Sequence, residues 1–206
     1  MKIYSIVEGH GEVKALPVLL RRLLHDHALC YGIQPGEPVR RKDFEFRREA
    51  TVKKAVRLAL MQPDCAAVLL VFDGEDDCPA ELGAQVRAWA QAEAGDIPCE
   101  VVVAYREYET WFLAAIKSLR GQCRIAKDAE SPAYPEASRD AKGVLESFMP
   151  RGSSYSPTIH QQKLSATFDL SLAYGRNRSF RKLTKALGKL LTQLGQPLPA
   201  WPPAGW

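Results

Sequence analysis

The sequence has no long apolar run and no regular spacing of its cysteines. No apolar segment among the 206 residues approaches the ~20 residues that a transmembrane helix needs, so we expect no membrane span. The five cysteines are scattered and never spaced as CxxC, which favours reduced thiols over a disulfide framework or a structural zinc site. The first residues, MKIYSIVEGHGE, reach an acid and two glycines too early for a signal peptide. We therefore expect a cytoplasmic protein.

Motifs of several common enzyme classes are also missing. The segment GHGE matches neither GxxxxGK[ST] nor GxGxxG, so these phosphate-binding loops are excluded. The four histidines show no HExxH spacing, which argues against zinc-dependent hydrolysis. No GxSxG marks a serine hydrolase.

Acidic and basic residues are distributed unevenly along the chain. The formal net charge is only +4, but residues 150–206 contain eight lysines and arginines and a single acid, Asp169. The other acids lie in the first three-quarters of the chain. This asymmetry indicates an acidic centre beside a surface for a polyanion.

Strands and helices alternate through residues 1–121, and this alternation predicts a three-layer α/β sandwich around a mostly parallel sheet. KIYSIVEG predicts the first strand and KDFEFR a second one. The continuous apolar runs CAAVLLVF and CEVVVAYR are typical of strands buried on both faces. The segments between them, such as EATVKKAVRLALMQ, repeat apolar residues at helical spacing.

The pattern changes beyond this core. Residues 122–195 predict a helical and irregular basic extension that packs on the core, with an amphipathic helix at SFRKLTKALGKLLTQLG. Residues 196–206 contain four prolines and predict an extended tail.

Acidic residues follow three of the predicted strands. Glu8 follows the first strand, the cluster at residues 73–77 (DGEDD) follows CAAVLLVF, and Glu107 and Glu109 follow CEVVVAYR. Ligands of open α/β sheets bind at the carboxyl ends of strands, and neighbouring strands lie only ~5 Å apart. Acids at the start of a helix also interact favourably with its dipole, but four in five residues exceed what capping uses. Carboxylates are the ligands that Mg²⁺ prefers, so we predict metal ligation by Glu8, Asp73, Glu75, Asp77 and Glu107.

Two of these segments, IVEGHGE and VLLVFDGEDD, resemble the TOPRIM fold, a Mg²⁺-binding α/β domain of topoisomerases, primases, recombination-repair proteins and certain nucleases. More closely, VEGHGEVKALPVLLRRL, FDGEDDCPAELG, YREYETWFLA, RDAKGVL, YSPTIHQQKL and SFRKL are similar to one bacterial family, domain of unknown function 4276. This resemblance spans about residues 3–190. It implies a TOPRIM-like, Rossmann-like fold that is often found with a partner ATPase.

Carried over by position, the TOPRIM glutamate falls on Glu8 and the acidic pair on Asp73 and Glu75. A glutamate at position 75 departs from the usual aspartate, which leaves Asp76 and Asp77 as alternative ligands. The resemblance therefore implies a nuclease or phosphodiester-acting subunit that depends on Mg²⁺ or Mn²⁺ and works with an ATPase, with Glu8 and Asp73 catalytic. Two alternatives stand beside it: a non-catalytic subunit of an ATPase complex, and a phosphatase of the haloacid-dehalogenase type.

Basic residues in YGRNRSFRK are the candidate nucleic-acid ligands. They fall at a loop-to-helix junction, where backbone N–H groups can add to phosphate binding. The predicted residues are Arg176, Arg178, Arg181 and Lys182. A second possible strip consists of Arg47, Arg48, Lys53 and Lys54.

Overall fold

Five strands form the central sheet in the computed structural model, which describes residues 1–198 and 200–206, apart from the side chains of residues 43 and 44. The strands are β1 (Lys2–Val7), β2 (Gln34–Pro35), β3 (Val39–Arg40), β4 (Cys65–Asp73) and β5 (Cys99–Ala104). Their order is β2–β1–β4–β5, with β3 also paired to β1, and every pairing is parallel.

Eight α-helices are found in the described part of the chain. They are α1 (His10–Arg21), α2 (Glu49–Leu60), α3 (Pro79–Ala94), α4 (Thr110–Ala114), α5 (Ala141–Ser147), α6 (Gln162–Thr167), α7 (Leu170–Arg176) and α8 (Arg178–Gln193). Two π-helical segments, Arg22–His27 and Pro157–Gln161, continue α1 and precede α6. None of the described helices combines the length and apolar character required to cross a bilayer.

The helices cover both faces of the sheet. Alternate residues of β4 point to opposite sides: Leu69 and Val71 join the apolar cluster that contains α1, α4 and α8, whereas Val68 and Leu70 join the cluster that contains α2 and α3. Burial on both sides explains why β4 and β5 are apolar throughout rather than alternating. The predicted three-layer α/β sandwich with a mostly parallel sheet is confirmed.

The second strand predicted for KDFEFR is wrong. Residues Asp43–Arg47 form a 3-10 helix, and the sheet takes the short strands β2 and β3 instead. The backbone N–H of Lys42 donates to Oε2 of Glu45 at 2.8 Å, and this local bond caps the turn. The local hydrogen bond between Lys42 and Glu45 thus favours a helical turn over the strand that the alternation predicted.

The C-terminal portion is helical and packs against the sheet. Phe180, Leu183 and Leu187 of α8 are fully buried in the same cluster as β1 and α1. Of the predicted tail, residue 199 lies outside the described residues. Trp201 donates its indole N–H to the carbonyl of Thr184 at 2.8 Å and lies against Gly188, where a Cβ atom would collide with its ring.

We expect Leu187→Ala to lower the free energy of unfolding by about 2–5 kcal/mol, because it removes a fully buried side chain from the shared core. Lys185→Ala, on the exposed face of the same helix, should change it by less than about 0.5 kcal/mol. Urea unfolding followed by tryptophan fluorescence and by circular dichroism measures both. Two separate transitions, with only one sensitive to Leu187→Ala, would show that the C-terminal helices form an independent unit.

Candidate functional site

The carboxyl edge of the sheet brings acids from three strand ends together. Glu8 comes directly after β1, Asp73 is the last residue of β4, and Glu107 and Glu109 follow β5. Oε2 of Glu8 accepts the backbone N–H of Asp73 at 3.3 Å, and Oδ1 of Asp73 accepts the backbone N–H of Tyr108 at 2.8 Å. Parallel pairing of β1, β4 and β5 thus places these acids at one edge.

Glu12 belongs to the same cluster, although it was not among the residues predicted from the sequence. Its Oε2 accepts the backbone N–H groups of Glu8 at 3.0 Å and of Gly9 at 3.2 Å, and the residue is only 4% exposed. Burial, with a further contribution from the charge of Glu8, raises the pKa of Glu12 to about 8. The spacing Gly9-x-x-Glu12, that of a capping box at a helix start, was the available signal.

Glu109 is the most deeply buried acid of the cluster. Its Oε1 accepts the hydroxyl of Tyr155 at 2.9 Å and the amide of Gln161 at 3.4 Å. Its Oε2 is buried without a hydrogen-bond partner. Burial raises the pKa of Glu109, and burial together with the charge of Glu109 raises the pKa of Tyr155.

Gly11 permits the close packing that brings Gln161 to this cluster. A Cβ atom at position 11 would collide with Oε1 of Gln161 and with Pro157. The turn of α1 that carries Glu12 can therefore approach the segment Pro157–Gln161 closely enough for both to contribute to one site.

Lys142 supplies positive charge to the acidic cluster. Its ammonium group lies 3.2 Å from Oε1 of Glu107 and 3.9 Å from Oε2 of Glu109, and its backbone N–H donates to Oε2 of Glu107 at 3.1 Å. Burial alone would lower the pKa of Lys142, but the charges of Glu109, Asp73 and Glu107 raise it above its usual value. Lys142 therefore carries its positive charge at neutral pH.

The cluster holds more carboxyl groups than one lysine can neutralise. Burial, followed by the charges of Glu12, Glu109 and Glu8, raises the pKa of Asp73 well above its usual value. Like charges in a desolvated volume disfavour ionisation, so protons or a further cation must balance the cluster.

The chemistry of this donor set fits a hard cation such as Mg²⁺. The donors are carboxylate oxygens at or just beyond adjacent strand ends, and one of them, Oε2 of Glu109, is buried without a hydrogen-bond partner. Within residues 1–198 and 200–206, however, no three Asp, Glu, His or Cys side chains are positioned around a common point as metal ligands. Metal binding would therefore require the carboxylates to turn toward one another.

The remaining acids of the DGEDD cluster lie on an exposed loop. Asp76 accepts a hydrogen bond from Arg106 at 2.7 Å, which lowers the pKa of Asp76, and Asp77 pairs with Arg47 at 2.7 Å. Glu75 is exposed and has a left-handed backbone, with φ of 49°. The structure thus separates Glu75 and Asp77 from the buried acids, and their metal role stays a prediction.

The predicted nucleic-acid residues differ in their surroundings. Arg181 donates to the carbonyls of Tyr174 and Gly175 at the end of α7, and Arg176 donates to the carbonyl of Pro132. Arg178 pairs with Glu136 at 3.0 Å, while Lys182 is half exposed and 3.9 Å from Oε2 of Glu100.

The start of α8 is already capped by an acidic side chain. Oε1 of Glu136 accepts the backbone N–H groups of Arg178 and Ser179. The backbone groups that were expected to add to phosphate binding thus have a carboxylate as their partner. Any phosphate contact here therefore depends on side chains, and the nucleic-acid role of Arg176, Arg178, Arg181 and Lys182 stays a prediction.

Fold and site together define an α/β protein with a buried acidic cluster at the carboxyl edge of a parallel sheet. Comparison with protein families finds a match between residues 7–188 and the family described as Domain of unknown function (DUF4276). The match covers most of the chain, and the chain belongs to this family. Neither a search of curated proteins nor a search of solved structures finds a match.

We expect the metal-free protein to lose stability as the pH rises from about 4.5 to about 8, the usual and the raised pKa of Glu12. In this range Glu12 in the folded state retains a proton that it releases in the unfolded state, so this residue alone contributes a loss of up to ~1.4 kcal/mol per pH unit. Glu12→Gln keeps an acceptor for the two N–H groups without titrating, and should flatten this dependence. Urea denaturation in EDTA between pH 4.5 and 8.5 measures the slope, with exposed Glu81→Gln as control. An unchanged slope in Glu12→Gln would contradict the assignment.

Proposed function

We propose that the protein is a phosphodiester-cleaving subunit that acts on nucleic acid with Mg²⁺ or Mn²⁺ and works with a partner ATPase. The observation that carries the proposal is the burial of Asp73, Glu12 and Glu109 beside Glu8 at the carboxyl edge of the sheet. Buried acids with strongly raised pKa values are typical of functional sites. The TOPRIM resemblance of Glu8 and Asp73 supports the same chemistry, and the ATPase partner rests on family resemblance alone.

The residues that would hold the metal are Glu8 and Asp73, with Glu12 or Glu109 as a further carboxylate. Such an ion supplies Lewis-acid chemistry: it lowers the pKa of a water nucleophile and stabilises charge that develops on the phosphate. Ionised carboxylates bind cations, so metal affinity should increase as the pH approaches and passes 8.

The chain's own residues have distinct roles in this proposal. Glu8 is half-buried at the strand end, and the backbone N–H of Asp73 donates to its carboxylate. In this proposal the carboxylate of Glu8 accepts a proton from the attacking water. Lys142 places an ammonium group beside Glu107 and offsets the repulsion between the acids and a phosphate. Arg178 and Lys182 would retain the nucleic acid on the adjacent surface.

A second candidate function is a non-catalytic subunit of an ATPase complex. The observation that favours it is the position of Lys142, whose ammonium group already neutralises part of the acidic cluster. With this cation and raised carboxyl pKa values, the cluster can be a structural element that needs no metal.

We expect Mg²⁺ or Mn²⁺ at about 100 times its Kd to raise the melting temperature by about 5–10 °C, because it binds only the folded state. Asp73→Asn preserves the acceptor for Tyr108 but removes the charge, and should abolish this increment. Asp96→Asn, at an exposed position outside the DGEDD cluster, is the matched control and should respond as the parent does. Differential scanning fluorimetry across a metal titration measures both.

Cleavage is tested with the purified chain, alone and with its partner ATPase, on single- and double-stranded DNA and RNA in the presence of Mg²⁺ or Mn²⁺. Metal-dependent cleavage that disappears in Asp73→Asn would support the nuclease. Stable ATPase binding without cleavage, even in the complex, would favour the non-catalytic subunit.

Lys142→Met separates the two candidates further. Removing one partner of a partly buried ion pair leaves the acids less compensated, so without metal we expect the melting temperature to fall by about 2–6 °C. If the cluster binds metal, Mg²⁺ should restore most of this loss. If the lysine is a purely structural counter-charge, Mg²⁺ should leave the melting temperatures of parent and variant unchanged.

A further inference from the structure

The outer edge of β5 borders a cavity of about 760 Å³, and the buried acids Glu12, Asp73 and Glu109 are not among its lining residues. Within the described residues β5 has β4 as its only strand neighbour. Side chains of α3 and α8 form the two walls, and Val101 and Val103 of β5 form an apolar floor. The volume is within the range of sites for small organic ligands.

One end of this cavity has an excess of positive charge. Glu100 is 1% exposed, and its Oε1 lies 3.0 Å from Arg87 and 2.6 Å from Lys189, while Lys182 lies 3.9 Å from Oε2. Three cations thus surround one carboxylate, and Arg87 and Lys182 also line the cavity. An anionic group placed between Arg87 and Lys182 would balance the charge that Glu100 leaves uncompensated.

The other end of the cavity is aromatic. The ring of Tyr105 lines it, and the guanidinium groups of Arg106 and Arg178 lie 5.5 and 5.6 Å from the centre of this ring. Tyr105 and Arg178 also line a second cavity of about 250 Å³, so both spaces meet at the tyrosine. A flat unsaturated ring can stack on tyrosine or on guanidinium planes.

The acids on the cavity rim lie toward its aromatic end, so they repel an anion at the basic end only weakly. Glu75, Asp76 and Asp77 lie on the loop after β4, which is hydrogen-bonded to Arg106, the neighbour of Tyr105. Asp76 is bonded to Arg106 and Asp77 to Arg47. The anionic part of a ligand is therefore directed toward Arg87 and Lys182.

The backbone at the aromatic end is strained. Glu75 and Arg106 have left-handed φ values of 49° and 66°, and the N–H of Glu75 donates to the carbonyl of Arg106 at 3.1 Å. Residues with side chains reach this region at an energetic cost, and such residues cluster at ligand sites. Here both left-handed residues lie among the lining residues of the cavity.

We infer that this cavity binds a nucleotide, with the base against Tyr105 and the phosphate between Arg87 and Lys182. Val101 and Tyr105 are four residues apart along the strand direction, a separation of ~13 Å, which accommodates a base at one end and extended phosphates at the other. The site requires neither a metal nor cleavage, so it stands whether or not the acidic cluster is catalytic. The nucleotide is either free or one unit of an unpaired strand.

Binding in EDTA tests the inference without any contribution from metal-dependent cleavage. The probe is a fluorescein-labelled single-stranded (dT)₈, followed by anisotropy, with unlabelled AMP and ATP as competitors. Tyr105→Ala should weaken binding about 5- to 150-fold, the range for loss of one stacked base, while Tyr105→Phe should bind as the parent does. Lys182→Gln should also weaken binding, and for the oligonucleotide should lower the log–log salt slope by ~0.7.

Matched controls are Tyr31→Ala, an exposed tyrosine outside the cavity, and Lys185→Gln on the exposed face of α8. Both should bind as the parent does, and equal melting temperatures confirm that every variant folds. Competition by AMP or ATP assigns the site to a free nucleotide, whereas binding of (dT)₈ without such competition assigns it to an unpaired strand. Absence of binding by every probe, or parental affinity in both Tyr105→Ala and Lys182→Gln, would overturn the inference.

Discussion

The electrostatic cost of burying Glu12, Asp73 and Glu109 together governs the carboxyl edge of this protein. Each carboxyl group loses its hydrating water and experiences the charge of its neighbours, and its pKa rises as a result. Backbone N–H groups, the hydroxyl of Tyr155 and the ammonium group of Lys142 each reduce part of that cost. These partners come from separate segments, so the long region between β5 and α6 must fold onto the sheet for the acids to be buried at all.

Much of the fold could be predicted because its main strands can be recognised from their own sequences. Burial on two faces demands an apolar run without alternation, and β4 and β5 have it. The strand prediction for KDFEFR was wrong because alternating polar and apolar residues are also compatible with a short helical turn. Here that turn is capped by a local hydrogen bond between Lys42 and Glu45. The strands that take its place, β2 and β3, have only two residues each, too few for any periodicity to show.

Only those site residues whose position follows from the adjacent strand could be predicted from the sequence. Glu8 and Asp73 follow strands directly, so parallel pairing was sufficient to bring them together. The partners of Glu109 lie 46 and 52 residues further along the chain, and tertiary packing alone selects them. The same holds for Asp76, whose arginine partner is 30 residues away. The acids that are adjacent in sequence are thus separated in the structure. Asp73 lies in the buried site, whereas Asp76 and Asp77 lie on a surface loop and form ion pairs with arginines.

Within the described residues the outer edge of β5 has no strand partner, and this feature affects how copies of the chain can associate. A free strand edge can template association with a strand from a second molecule, and inward-pointing charges and lysines are the usual protection against it. Glu100 on β5, with Arg87 and Lys189 beside it, meets that description, because an added strand would have to bury or displace these ion pairs. The charges that line this edge thus favour a separate, non-aggregating molecule over edge-to-edge growth of the sheet.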